Sequence, residues 1–146
     1  MQSYAVLAVQ GECAQEELNG YLGGQARAVE QNSGWMVARS EEPAQLSAVE
    51  TQARMASAHI PWPTVFVACA EEKALLLGAC VMGFTVFRHA IGETELLGIK
   101  EQHVQSRILQ DVLKTDVDGT RKFVRERDTA RAIPALERLL GIKLGE

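Results

Sequence analysis

Three cysteines (Cys13, Cys69, Cys80) and three histidines (His59, His89, His103) are the side chains of this 146-residue chain best suited to nucleophilic or metal chemistry. A thiolate–imidazole pair needs a partly exposed thiol of low pKa. Cys69 and Cys80 instead lie inside apolar runs, where cysteine behaves as a small buried hydrophobe. There is no C-x-x-C and no H-x-x-x-H spacing, and an odd cysteine count does not close a disulfide framework. The sequence Asp116-x-Asp118-Gly119 is half of a calcium loop, but the first ligand position would be Lys114 and the last Arg125, both of the wrong charge. It reads as an acidic turn. Gly20-x-x-Gly23-Gly24 follows a predicted helix instead of opening one, the reverse of a phosphate cradle. No catalytic, cofactor-binding or metal-ligating residue is therefore expected.

One charge feature has direction. Between residues 121 and 131, Arg121, Lys122, Arg125, Arg127 and Arg131 face only Glu126 and Asp128, a local charge of +3 in a chain of net charge −4. Residues 1–73 carry 4 basic and 9 acidic side chains, and residues 74–146 carry 11 and 10. A chain acidic overall is not a general polyanion sponge, so nucleic-acid contact must be local. Arg121, Lys122, Arg125 and Arg127 are the expected contacts to RNA phosphates, and the contact would be weak.

The elements that must carry these residues are those of one domain spanning 1–146, since single cores of about 100 to 150 residues are the commonest size. With 47% apolar and 23% charged residues, the chain can bury a core. Tyr4–Val9 predicts a strand, and residues 14–22 a helix. Asn32-Ser33-Gly34 predicts the turn of a hairpin or bent strand between 26–31 and 35–39. Ser40 offers an N-cap for a helix to about Ser57 whose apolar face is Leu46, Val49, Ala53 and Ala56. Residues 64–87 fit two buried strands, 65–70 and 75–80, or one buried helix; the leucines and alanines and Glu71-Glu72 favour a helix over 71–82 capped by Gly83. A central strand over 94–99, a helix over 103–114 and a last helix from Asp128 or Thr129 to Leu140 complete the reading. The class is α+β, a small mixed sheet packed with about four helices. The longest apolar stretch, 74–87, is shorter than the roughly 18 residues of a membrane span, and no signal peptide is legible, so a cytoplasmic location with no membrane contact is expected.

Two resemblances follow from these residues. The order of elements, with Gln45-Leu46…Ala53…Ala56, an apolar helix ending in Gly83-Phe84, and the closing run Ala132-Ile-Pro-Ala-Leu-Glu-Arg-Leu-Leu-Gly-Ile142, resembles the small kinase-binding subunit of the KEOPS complex, the PRPK-binding-protein family. That resemblance implies a non-catalytic accessory subunit that binds a protein partner, a small atypical kinase, within a complex that makes threonylcarbamoyladenosine in tRNA. The run from Gly83 to Ile99, with Pro61-Trp62 upstream and Val124-Arg125…Asp128 downstream, resembles RimI-type GNAT N-acetyltransferases. The stretch matching their pyrophosphate loop, 102–110, contains no glycine, and side chains there would block close backbone approach to acetyl-CoA. This alternative is therefore a degenerate acyltransferase. A small immunity or inhibitor protein is a third reading, and a homodimer is compatible with all three.

Overall fold

The computed structural model describes residues 4–10, 27–30, 35–40, 46–60, 62–71, 73–93, 110–111 and 116–140. They form six strands, β1 (Tyr4–Gln10), β2 (Arg27–Glu30), β3 (Trp35–Ser40), β4 (Thr64–Ala70), β5 (Ala74–Val81) and β6 (Phe84–Gly92). Three helices accompany them, α1 (Leu46–His59), α2 (Val117–Arg125) and α3 (Thr129–Leu140). The strands make one sheet in the order β2-β3-β1-β4-β5-β6, and every pairing is antiparallel. The class is α+β, as read from the sequence, with three described helices where about four were expected.

The sheet is sandwiched between α1 on one face and α2 with α3 on the other. Side chains alternate across a strand, so each strand feeds both layers. Ala5, Leu7, Val9, Phe66, Ala68 and Leu76 pack with Val49, Ala53, Ala56 and Ile60 on the α1 side. Val6, Ala8, Val65, Val67, Leu75 and Leu77 pack with Phe123, Ala132, Leu136 and Leu140 on the other. Both faces being covered, β4 and the run Ala74–Cys80 of β5 are buried at every position, apolar except for Thr64, and show no alternation.

That arrangement corrects the expected helix over 71–82. Residues 74–81 are strand β5, paired with β4 from Thr64↔Cys80 to Ala70↔Ala74. Glu71, read as a helix opening, lies in the β4–β5 connection at a φ of 52°, where the Lys73 N–H donates to the Ala70 carbonyl. Gly83 is not a helix cap: Met82 (φ 53°) and Gly83 (φ 89°) are the two residues between paired Val81 and Phe84. Positive φ at both positions of a two-residue loop is the signature of a type I′ hairpin turn. The apolar helix ending at Gly83-Phe84 that was part of the first resemblance is accordingly a strand.

Other readings fare differently. Tyr4–Val9 is a strand, and β2 pairs with β3 as the Asn32-Ser33-Gly34 turn predicts. Val49, Ala53 and Ala56 form the buried face of α1, whereas Ser40 is the last residue of β3. The acidic turn at 116–119 is the start of α2: the Asp116 carboxylate accepts from the Gly119 N–H at 2.8 Å as an N-cap. Asp128 caps α3 in the same way, accepting from the Ala130 N–H at 3.0 Å. The predicted helix over 14–22, the glycines at 20–24 and the predicted strand over 94–99 lie outside the described residues, as does the 103–114 helix apart from helical Gln110 and Asp111.

Candidate functional site

The second and third helices form a hairpin whose inner face is fixed by Phe123, Ala132, Leu136 and Leu140, leaving the opposite faces to solvent. The turn between them is tightly bonded. The Glu126 N–H donates to the Lys122 and Phe123 carbonyls, and the Glu126 carboxylate accepts from the N–H groups of Arg127 and Asp128, both at 3.1 Å. Between the helices lies an open cleft of about 590 Å³. Lys122 and Arg125 of α2 and Arg131 and Arg138 of α3 line it, against the one carboxylate of Glu126, and Ala130, Pro134 and Ala135 complete the wall.

All four basic residues singled out in the sequence, Arg121, Lys122, Arg125 and Arg127, are exposed. The fold brings only Lys122 and Arg125 into the cleft and joins them to Arg131 and Arg138. Arg138 lies beyond the basic run, and helix pairing alone brings it near Lys122. Amphipathicity marks the solvent face of α2, since Thr120 and Phe123 are buried while Arg121, Lys122 and Arg125 are not, but it carries no signal for Arg138.

The cysteines and histidines do not assemble. Cys80 faces α1 and His89 faces α2, so the sheet separates them. Cys69 and His89 share a face, but on β4 and β6 with β5 between, about two strand spacings of ~4.8 Å apart. Cys80 is fully buried, its Sγ 3.7 Å from the Thr85 hydroxyl, and burial pushes its thiol pKa up to about 11. His89, on the edge strand β6, is buried under α2, its ring edge-on to Phe123 at 5.8 Å. Among the described residues no cluster of three or more His, Cys, Asp or Glu could hold a metal ion, and no helix is long and apolar enough to cross a membrane.

A second feature, unmarked in the sequence, sits at one end of the sheet. Met82 is 80% exposed and Phe84 68%, on the β5–β6 turn and the residue after it. The turn is pinned to α1: the Gly83 N–H donates to the buried Ser57 hydroxyl at 3.0 Å, and Arg54 Nε donates to the Gly83 carbonyl at 3.3 Å. Met55 follows Arg54 on α1, and Trp62 stands two residues before Thr64, the register partner of Cys80, as Met82 stands two residues after Cys80. Both side chains are exposed. Met82 and Phe84 thus form a small apolar tip on a turn held against α1.

No known protein family, curated protein or solved structure matches this chain.

Proposed function

We propose that this protein is a non-catalytic accessory subunit that docks a protein partner on the apolar tip formed by Met82 and Phe84. The observation that carries the reading is the exposure of Met82 and Phe84 on a turn held by Ser57 and Arg54. Exposed aromatic and methionine side chains are typical of interface centres. A turn already fixed by hydrogen bonds loses little freedom when a partner covers it, which favours binding over a mobile loop of the same composition. The buried Cys80 and His89, held on opposite faces of the sheet, favour a binding role over thiol or imidazole chemistry.

The first partner to try is the small atypical kinase implied by the resemblance to the KEOPS subunit, which would place the chain in a tRNA-modifying assembly. Purified full-length protein is titrated with that kinase by calorimetry, beside Phe84→Asp and a surface control, Asp118→Asn. Saturable binding by wild type and the control, weakened at least ten-fold by Phe84→Asp, supports the reading. No binding, or equal binding by all three, removes the kinase. Micromolar binding of acetyl-CoA in the same instrument would replace the accessory role with the acyltransferase one.

A further inference from the structure

We propose that the cleft between α2 and α3 is a binding site for the phosphodiester backbone of a nucleic acid, independent of the apolar tip. The charge balance is the first support: four guanidinium or ammonium groups line the cleft against one carboxylate, in a chain of net charge −4. Its Glu126 is committed to the interhelical turn, where one carboxylate oxygen accepts two backbone N–H groups.

Local helix chemistry accounts for only part of this. Lys122 and Arg125 are in the last turn of α2 and Arg138 in the last turn of α3, where cations offset the helix dipole. Arg131 is in the first turn of α3, the end at which the dipole disfavours a cation. Its ion pair with Asp128 is 3.7 Å long and exposed on both sides, worth little. A cation placed against its own helix dipole and turned into a cleft with three others is explained by an anionic ligand. Arg131 and Arg138 are seven residues apart on one helix, about 10.5 Å along its axis, too far for one phosphate to bridge and suited to successive phosphates of a polymer.

The floor adds a second kind of contact. Pro134 has no N–H to give the Ala130 carbonyl, the bond that every other residue type would make at that point of an α-helix. Ala130 and Pro134 both line the cleft, so the carbonyl that proline deprives of its helical donor belongs to a residue of this wall. A ribose 2′-hydroxyl is a donor that always lies beside a phosphate, and it distinguishes RNA from DNA. Pro134 and the two alanines offer an apolar surface to the sugar.

The test measures fluorescence anisotropy of labelled single-stranded RNA and DNA of one sequence, titrated with the full chain across 50–200 mM KCl. Four phosphate contacts predict a slope of log affinity against log salt of about −2.8 for single strands. Arg131→Gln/Arg138→Gln should weaken binding at least five-fold at 50 mM salt and flatten the slope by about 1.4. Arg121→Gln/Arg127→Gln removes the same charge outside the cleft and should leave the slope unchanged; circular dichroism checks that both pairs fold. Tighter binding of RNA than DNA assigns the Ala130 carbonyl to the 2′-hydroxyl, and equal binding assigns the site to the backbone alone. Equal losses in the two double variants mean attraction by net charge and overturn the site. Binding of phosphatidylserine vesicles through Arg131 and Arg138, with neither nucleic acid bound, overturns it in favour of a lipid surface. Phe84→Asp should bind RNA as wild type does, so this site and the protein-docking tip fail separately.

Discussion

Phe66 and Gly78 face each other across β4 and β5, and the ring of Phe66 fills the space in which a side chain at position 78 would begin. A Cβ there would overlap the ring's far edge, deep in the layer between the sheet and α1. Two effects oppose one another when Gly78 becomes alanine. Relief of backbone entropy stabilises by about 0.5 to 1 kcal/mol. Overpacking of a filled core costs about 1 to 3 kcal/mol. The overlap is with a fully buried ring, so Gly78→Ala should lower stability in urea by about 1 to 2 kcal/mol. Phe66→Leu makes room, and in that background Gly78→Ala should cost less than in the wild type. Additive losses would mean that the two residues are not in conflict.

That pair also shows why the sequence of residues 71–82 favours a helix where the structure has a strand. The sequence offered alanine and leucine, which intrinsic propensity assigns to helix, but here the small residues let a large ring and a helix approach the sheet. Because both faces of β4 and β5 are covered, the alternation that marks a strand was absent. β1 was legible because it is short, rich in valine and bounded by turn residues. The start of α2 was hidden because Asp-x-Asp-Gly is equally a turn and an N-cap with glycine in the first helical turn. The cleft was half legible: Lys122 and Arg125 fall in a basic run, whereas Arg138 joins them only when two helices pair, and no local pattern encodes that. The apolar tip left no signal, since Met82 and Phe84 continue an apolar run whose members from Ala74 to Cys80 are buried.

The Asp116 cap can be measured directly. Its carboxylate satisfies the Gly119 N–H, one of the donors that the first turn of α2 leaves without an intrahelical partner. Asp116→Ala should destabilise the protein by about 1 kcal/mol, and Asp116→Ser or Asp116→Asn should restore most of it. If alanine costs nothing in urea titrations, α2 does not depend on this cap.

His89 gives the fold a pH dependence. Burial first, and the charge of Arg127 second, hold its pKa below the ordinary histidine value. A lowered folded-state pKa means the unfolded chain binds the proton first. The stability from a neutral buried His89 is therefore fully present above about pH 6.5 and declines as pH falls below it, until the folded-state pKa is passed. His89→Phe keeps an aromatic ring against Phe123 and removes the titration. Urea midpoints at pH 7.5 and 5.5 should differ less in His89→Phe than in the wild type. An equal difference in both proteins would assign the acid sensitivity to other groups.

The β5–β6 turn sets stability against binding. Met82 has a left-handed φ of 53°, which costs an ordinary L-residue about 1 to 2 kcal/mol, and asparagine followed by glycine is the pair a type I′ turn prefers. Met82→Asn should raise the urea midpoint, by roughly 0.5 to 1 kcal/mol of stability. Gly83→Ala should do the opposite. Its φ is 89°, and although a Cβ would meet the Ala58 Cβ at an ordinary 3.4 Å, the backbone conformation itself penalises alanine by about 1 kcal/mol. The methionine thus occupies a position where it costs stability, which suits the binding role proposed for it. Met82→Asn should therefore be more stable than the wild type and weaker towards the partner proposed for the apolar tip. A variant that is more stable and binds that partner unchanged would take Met82 out of the interface and leave Phe84 to carry it.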